Sequence, residues 1–307
     1  MNLPFLLCQF FIAFTCLSCN EASPKQEKQQ PKPLKTIVQE VAIDSSLNQV
    51  YAWEPDYQIK DKLINRIAPP VGFERVEVDE KGQAAWLRNL PLLPEGHQVK
   101  LYNDELKWNQ KAHFAVVNLD VGRRDLQQCA DAVMRLKAEY HFAKGEYSKI
   151  HFNFTSGDQV SFDDWRYGRK PSIQGNSVRF SDRTGTADNS YSNFKKYLVM
   201  IFSYAGTASL EKELEPVETS DLKAGDVFIQ AGFPGHAVYI LDVAKHPESG
   251  KTAFLLGQSY MPAQEFHILR NPHDQKHNPW YILEDLDRLD TPEWGFELND
   301  LMRFSEE

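Results

Sequence analysis

The stretch GDVFIQAGFPGHAVYILDVA, residues 225–244, decides the fold of this chain together with TAFLLGQSYM, residues 252–261. Both stretches are rich in aliphatic and β-branched side chains, which favour extended backbone. The Gly and Pro residues of AGFPG divide the first stretch into two strand-like runs, residues 226–230 and 236–243. Three such runs joined by short turns predict an antiparallel sheet.

The chain before this sheet alternates between helical and strand-like patterns. Residues 125–140 and 190–204 carry apolar side chains at helical spacing. Residues 73–78, 113–121 and 149–154 are typical of strands, because they alternate apolar with polar side chains or form short β-branched runs. Helices that come first and an antiparallel sheet that follows them indicate the α+β class.

The composition is ordinary for a soluble globular protein. Of the 307 residues, 42% are hydrophobic and 25% are charged, which excludes a wholly disordered chain and collagen-like repeats. The net charge is −9 and Lys and Arg form no cluster, so we do not expect nucleic acid as a partner. Glycine patterns for phosphate loops or dinucleotides are absent from the sequence, and we expect no cofactor.

Residues 1–18 predict an export signal. They contain no charged side chain, and their apolar run is too short for an ordinary membrane span. The segment ends in Leu17-Ser18-Cys19, which resembles the lipobox of bacterial lipoproteins. This resemblance implies cleavage before Cys19 and a diacylated cysteine at the new amino terminus. A buried apolar amino-terminal helix is the alternative.

Residues 19–37 are interpreted as the lipidated cysteine and a flexible tether. The sequence NEASPKQEKQQPKPLK after Cys19 is polar and rich in Pro, so it cannot bury enough apolar surface to fold. Acyl chains on Cys19 would hold the protein on a membrane of the cell envelope, and we expect the outer rather than the inner membrane. Residues 38–307 are long enough for a single α+β domain.

After the predicted processing, one cysteine remains as a candidate nucleophile. Three of the four cysteines lie in residues 1–19, so Cys129 is the free thiol of the processed chain. Asp125 and Gln128 have the spacing of an N-cap and its capping-box partner, which places Cys129 in the first turn of a helix. There the positive end of the helix dipole favours the thiolate. The alternative is an inert cysteine on the core face of the helix.

A thiol nucleophile needs a base, and His236 is the best placed of the nine histidines. It opens a strand directly after a Gly/Pro turn, at the mouth of the predicted sheet. If the next hairpin turns near residue 247, residues whose numbers add up to 494 face each other. Gln258 would then lie about 5 Å from His236 and orient its ring. Asp242 is roughly 20 Å along the strand and too far away to do so.

Both residues also have ordinary structural interpretations. His236 could be a strand-end histidine that hydrogen-bonds to backbone. Gln258 could be a polar side chain at the end of a strand.

This order of motifs resembles papain-like cysteine amidases, and among them the bacterial cell-wall endopeptidases, in which a Gly-Asp-hydrophobic strand precedes the histidine strand. The resemblance covers about residues 110–270. It implies a papain-like core in which a helix carrying Cys129 packs on an antiparallel sheet carrying His236 and Gln258, with these three as catalytic residues. Those enzymes usually show Asp-Cys-Ser at the nucleophile, where this chain has Gln-Cys-Ala.

A second resemblance covers nearly the whole chain after the tether. It rests on five strings, DLQQCADAVMRLKAEY, HFNFTSG, GDVFIQAGFPGHAVYILDVA, LLGQSYMPAQEFHILRNP and TPEWGF. They are similar to an uncharacterised family of predicted bacterial lipoproteins, filed as a domain of unknown function. This resemblance implies export and lipidation, and it brings no established activity.

The functional hypothesis is therefore an envelope lipoprotein that hydrolyses an amide bond as a cysteine amidase or peptidase. Gln127 or Gln128, with the Cys129 amide, would stabilise the oxyanion. The alternative is a non-catalytic lipoprotein that binds peptide or glycan in the same cleft, with Cys129 packed in the core.

Two further sets of residues have side chains that suit binding. The aromatic side chains of Trp165, Tyr167 and Phe233, together with Tyr191, could line a groove for the substrate. A metal set at His267, His273 and His277 is not expected, because prolines bracket the last two and no helix would present them together.

Overall fold

The computed structural model describes residues 50–175 and 177–305 of the chain. The predicted export signal, the Cys19 lipidation site and the tether lie outside these residues. Within them, helices combine with antiparallel strands, so the predicted α+β class is confirmed. None of the helices in this part of the chain is long and apolar enough to cross a membrane.

The described residues form six α-helices and fifteen strands. The helices are α1 (Leu63–Arg66), α2 (Gln83–Arg88), α3 (Cys129–Ala143), α4 (Phe162–Arg166), α5 (Tyr191–Tyr204) and α6 (Thr207–Leu210). The strands are β1 (Glu74–Arg75), β2 (His113–Val116), β3 (His151–Asn153), β4 (Gln159–Ser161), β5 (Pro171–Gln174), β6 (Ser177–Phe180), β7 (Leu214–Pro216), β8 (Val227–Gln230), β9 (His236–Lys245), β10 (Thr252–Gln258), β11 (His267–Leu269), β12 (Tyr281–Ile282), β13 (Leu289–Asp290), β14 (Gly295–Phe296) and β15 (Leu301–Phe304).

One nine-stranded antiparallel sheet organises the fold. Its strand order is β2-β11-β10-β9-β8-β15-β7, with β1 also paired to β9 and β12 to β10. The central strands β9 and β10 are buried along almost their whole length, because each face of the sheet is covered by its own hydrophobic core. Helix α3 packs against β9 and β10 on one face, and apolar residues of the carboxy-terminal segment cover the other.

A β-bulge at Leu241 sets the register between β9 and β10. On the hairpin side of the bulge, Thr252 lies opposite Lys245, and beyond it Gly257 lies opposite Tyr239. The numbers of paired residues thus add up to 497 before the bulge and to 496 after it, so the predicted sum of 494 is wrong. Gly257 leaves room for this bend, since a Cβ there would lie 2.8 Å from the Leu241 side chain.

This bulge decides which face of the sheet carries Gln258. Without the extra residue, Gln258 would continue the pairing opposite Tyr239, whose side chain belongs to the core on the α3 side. With it, Gln258 falls opposite Val238, which shares a face with His236. The predicted partners therefore lie on one face as diagonal rather than direct neighbours.

Most predicted elements are present with shifted ends. Helix α5 and strands β8 and β9 begin within one residue of the predicted positions. The predicted helix at residues 125–140 begins four residues later, as α3, because residues 125–128 form its entry turn rather than its first turn. The predicted strand at residues 73–78 is reduced to β1, two residues that pair with the end of β9.

Asp242, beside the bulge, holds a buried ion-pair cluster. Its carboxylate accepts hydrogen bonds from Arg75 Nε at 2.6 Å and from Arg88 Nε at 2.7 Å, and the Asp242 side chain is fully buried. The two arginines come from β1 and α2, so this carboxylate ties both elements to β9. Asp242 thus has a structural role at the far end of the strand from His236.

We expect Asp242→Asn to destabilise the fold by about 3–5 kcal/mol, because it leaves two poorly hydrated guanidinium groups without their counter-charge. Urea unfolding followed by circular dichroism measures this change. The exposed residue Asp182 supplies the control variant, Asp182→Asn, which should change the free energy of unfolding by less than about 0.5 kcal/mol. Equal stabilities of the two variants would show that the cluster does not stabilise the fold.

Candidate functional site

Cys129 is the first residue of helix α3. Gln128 is the N-cap, and its backbone N–H donates to Asp131 Oδ2 at 3.0 Å. The predicted place of Cys129 in the first turn is confirmed, whereas the predicted N-cap at Asp125 is wrong by three residues. Asp125 instead joins this turn to the loop after β10, because its Oδ1 accepts the Ala263 N–H at 2.7 Å.

His236 is the first residue of strand β9 and is fully buried. It follows the loop of residues 231–235, whose last residue must be glycine. A Cβ on Gly235 would lie 2.8 Å from the carbonyl oxygens of Gln230 and Gly232, so any larger residue would push the loop away. The Gly/Pro turn that marked His236 in the sequence therefore fixes the start of its strand.

Gln258 ends strand β10 and holds the ring of His236. The Gln258 Oε1 atom lies 2.8 Å from His236 Nε2, and both side chains are buried. The predicted contact between these two side chains is present, although the register that predicted it is not the observed one.

A buried ion pair orients the Gln258 amide. Gln258 Nε2 donates to Glu293 Oε2 at 2.8 Å, and Glu293 is paired with Lys107 Nζ at 2.7 Å, with both charged side chains at most 4% exposed. A carboxylate can only accept hydrogen bonds, so the amide NH₂ must face Glu293 and its oxygen must face His236. That oxygen requires a proton on His236 Nε2, which leaves the Nδ1 atom with a free lone pair.

The Nδ1 atom of His236 is buried and has no hydrogen-bond partner among the described residues. Aromatic rings hold the imidazole in place, with centroids at 4.8 Å for Tyr260, 5.3 Å for Trp294 and 5.9 Å for Phe296. These ring contacts restrict the rotation of the imidazole and so fix the direction of its Nδ1 lone pair.

The Cys129 thiol lies against the start of the same strand. The backbone N–H of Ala237, the residue directly after His236, hydrogen-bonds to the sulfur, and Cys129 also interacts electrostatically with Tyr260. His236 Nδ1 makes no hydrogen bond to the Cys129 sulfur. In addition, Cys129 belongs to neither hydrophobic core cluster, although it is only 5% exposed.

The thiol and the imidazole are both neutral at pH 7. Burial, reinforced by Asp131, raises the pKa of Cys129 to about 11, although the N–H groups of Ala130, Ala237 and Cys129 act in the opposite direction. Burial also lowers the pKa of His236 to about 4. The amides at the start of the helix thus act in the predicted direction and favour the thiolate, but desolvation outweighs them, so the thiol is the stable form in this state.

A cleft of about 570 Å³ opens onto Cys129. Its walls are the entry turn of α3, the segment that joins α5 to α6, the loop of residues 232–235, and Met261. The cleft thus separates the element that carries Cys129 from the loop that precedes His236. Phe233 of this loop lines the cleft and is fully exposed.

The other three predicted groove residues lie elsewhere. Tyr191 begins α5, and its hydroxyl group donates to Glu139 Oε1 at 2.7 Å. Trp165 is buried in the core, where its Nε1 donates to Asn193 Oδ1 at 3.1 Å. The Tyr167 ring stacks with the guanidinium groups of Arg166 and Arg183 at 4.5 and 4.9 Å. None of these three residues lines the Cys129 cleft, so of the predicted set only Phe233 lies in its wall.

The two predicted oxyanion side chains occupy different surroundings. Gln127 is buried, with its Oε1 accepting from Arg135 at 2.6 Å and its Nε2 directed at the Asp120 carbonyl at 3.4 Å. Gln128 lines the cleft, and its Nε2 donates to Asp125 Oδ1 at 3.0 Å. Gln128 is therefore within the cleft, and Gln127 forms part of the buried support behind it.

Histidines 267, 273 and 277 do not converge. His267 is buried beside Gln258 and its Nδ1 pairs with the Glu265 carbonyl at 2.9 Å, whereas His277 pairs with Asp274. No group of three or more His, Cys, Asp or Glu side chains in the described residues is arranged to hold a metal ion.

Sequence reasoning missed Glu293, Lys107, Tyr260 and Asp131. The first two lie 186 residues apart and meet through the tertiary fold, so their spacing carries no signal. Tyr260 could have been identified from its position two residues after Gln258, at the end of a predicted strand. Asp131 could have been identified from its position in the first turn of α3, where acidic side chains are common because they interact favourably with the helix dipole.

Comparison with protein families places most of the chain in one of them. The family described as a domain of unknown function (4846) matches residues 63–303, which is well over half of the chain and contains all the residues of the site. No curated protein and no solved structure matches the chain.

We expect acid to destabilise the protein through His236. Its folded-state pKa of about 4 lies below the ordinary 6.5, so the unfolded chain binds the extra proton between these values. The stability due to neutral His236 is present above pH 6.5 and is lost as the pH falls to 4, by roughly 2–4 kcal/mol. Urea unfolding at pH 7 and pH 4.5 should show a smaller loss for His236→Gln than for the wild type.

The exposed His273 supplies the matched control for this measurement. His273→Gln should lose as much stability as the wild type on acidification. A loss in His236→Gln that equals the wild-type loss would contradict a buried neutral His236.

Proposed function

The chain belongs to the family described as a domain of unknown function (4846), and from this premise we propose that it is a papain-like cysteine hydrolase of amide bonds, anchored in the cell envelope. The observation that carries the proposal is the unpartnered Nδ1 of His236. Its other nitrogen is held by Gln258, and the thiol of Cys129 lies beside the same strand start. This is the order of nucleophile, base and orienting amide that papain-like chemistry requires.

In the first half of the reaction, the Cys129 sulfur attacks the amide carbonyl carbon while its proton passes to His236 Nδ1. The carbon–nitrogen bond then breaks as Nδ1 returns this proton to the departing amine, which leaves a thioester on Cys129. In the second half, water attacks the thioester carbonyl and gives a proton to Nδ1. The carbon–sulfur bond breaks, and the proton returns to the sulfur.

A neutral thiol and a neutral imidazole suit this order of steps, because the thiol proton passes to His236 during the attack rather than before it. Throughout both halves the Gln258 oxygen accepts from Nε2–H, and it stabilises the imidazolium that forms transiently. The ion pair of Glu293 and Lys107 prevents a 180° rotation of the Gln258 side-chain amide. The Cys129 backbone N–H at the start of α3, with Gln128, is our proposed oxyanion site.

The envelope location rests on the amino-terminal sequence. The lipobox-like Leu17-Ser18-Cys19 and the polar tether after it suit a protein held at a membrane surface. An anchored hydrolase of this kind would act on a peptide crosslink or an acylated amine within reach of the membrane, and we favour the outer membrane.

A binding protein without catalysis is the second candidate. It is favoured by one observation, the low exposure and raised pKa of Cys129, which are those of an inert thiol. In that case the same cleft would bind a peptide or glycan, and Phe233 would be a contact residue.

Release of soluble peptides from purified peptidoglycan sacculi tests the catalytic proposal. We expect the wild type to release peptides with new amino and carboxyl ends, detected by mass spectrometry. Cys129→Ala and His236→Gln should lower the rate at least about 100-fold, because each removes a group that the attack needs. The cleft variant Phe233→Ser, which keeps the catalytic groups, should retain the bond specificity.

Alkylation by iodoacetamide gives a test that needs no substrate. At pH 7, Cys129 should react faster in the wild type than in His236→Gln, since Nδ1 accepts its proton, and the modified peptide is counted by mass spectrometry. Equal and slow alkylation in both proteins, together with no release from sacculi, would leave the binding protein as the better description.

The anchor has its own test. We expect the full-length protein, expressed in a bacterium with labelled palmitate, to carry label and to sediment with membranes, because two or more acyl chains hold a protein stably on a bilayer. Cys19→Ser should abolish both, whereas Cys16→Ser should not. Soluble, unlabelled wild-type protein would contradict lipidation without bearing on Cys129.

A further inference from the structure

Asp131 is a buried carboxyl group with one oxygen unused. It is 6% exposed, and its Oδ2 accepts the Gln128 N–H, which completes the start of helix α3. Its Oδ1 is buried and has no hydrogen-bond partner among the described residues. The carboxyl lies two residues after Cys129 and lines the same cleft. A buried carboxyl oxygen without a hydrogen bond lowers the stability of the folded protein. Such an oxygen beside a cleft therefore indicates a site for a ligand that can donate to it.

The charges of the cleft have one sign. Among the described residues that line it, Asp125 and Asp131 are acidic and none is Lys, Arg or His. The remaining walls are largely apolar, with Phe202, Phe233 and Met261 among them. An apolar cleft with acidic side chains on one wall attracts a cation and repels an anion.

We infer that Asp131 binds a primary ammonium group of the substrate, so that the amide cleaved at Cys129 belongs to a peptide or acylated amine with a free amino group near the scissile bond. This inference rests on the proposed hydrolase function and specifies its substrate class. The ammonium group would donate to Asp131 Oδ1, the oxygen that is unused in the free protein.

The same contact would change the ionisation of Asp131. Burial raises the pKa of this carboxyl group to about 8, so at pH 7 most of it is protonated in the free protein. A bound ammonium group would stabilise the ionised carboxylate through a charge-assisted hydrogen bond. The two opposite charges sum to zero, so their pair would add no net charge next to a developing thiolate at Cys129.

Thiol-directed reagents of matched size test this inference without any turnover. Full-length wild-type protein at pH 7 is treated with 2-aminoethyl methanethiosulfonate, which carries an ammonium group, or with 2-sulfonatoethyl methanethiosulfonate, which carries a sulfonate. Mass spectrometry of the peptide that contains Cys129 gives each rate. We expect the cationic reagent to react at least about tenfold faster, because a charge pair in a partly buried site is weakly screened.

The variant Asp131→Asn should lower this ratio of rates about tenfold, whereas Asp182→Asn, on the exposed surface, should leave it unchanged. Folding of each variant is checked by its urea midpoint, since Asn can still accept the Gln128 N–H through its amide oxygen. Free cysteine in the same buffer gives the intrinsic ratio of the two reagents.

Three results would overturn the inference. They are a wild-type ratio equal to that of free cysteine, an unchanged ratio in Asp131→Asn, and no reaction at Cys129 with either reagent, which would mean that the cleft does not admit an aminoethyl group. Release of peptides from sacculi that depends on Cys129 and His236 would still support the hydrolase if the ratio test failed. If no peptides were released from sacculi but the ratio of reagent rates were as expected, the hydrolase proposal would be wrong and the cleft would be a cation-binding site.

Discussion

The site depends on the hydrogen bond between His236 Nε2 and Gln258 Oε1, formed inside a sheet from which water is excluded. In such a setting each polar atom must find a partner in the protein, so one contact restricts the next. The carboxylate of Glu293 fixes the amide, the amide fixes the proton on the imidazole, and the imidazole is left with a single free nitrogen. The chemistry proposed for this chain follows from that restriction.

Burial has a second effect, on the charge of the reacting groups. The surroundings that orient His236 and Cys129 also keep both neutral, because neither a thiolate nor an imidazolium is well solvated there. A resting state of this kind is protected from adventitious oxidation and metal binding, which require the thiolate. Reactivity would then depend on what a ligand brings into the cleft, and we propose that the acidic wall at Asp131 selects those ligands.

The parts of this structure that could be predicted from sequence are those with local causes. Helix α5 follows from its apolar spacing, and β9 follows from a β-branched run after a Gly/Pro turn. The contact of His236 with Gln258 was predicted through an incorrect register, because the bulge at Leu241 leaves no mark in the pattern of apolar residues. Lys107 and Glu293 could not be found in this way, since a single buried ion pair between distant segments has no periodicity.

The place of Glu293 in the chain order has a consequence for how the site forms. Cys129, His236 and Gln258 are all present in the polypeptide before Glu293 is. Until that carboxylate docks, the longer contact of Gln258 Nε2 with His267 Nε2, at 3.4 Å, is what favours the observed orientation of the amide. A partly folded chain, or one released before its last segment has packed, would therefore hold the imidazole of His236 in a less strongly fixed tautomer. Completion of the site is thus coupled to completion of the fold, and if the proposed function is correct, an unfinished chain would be a poor hydrolase.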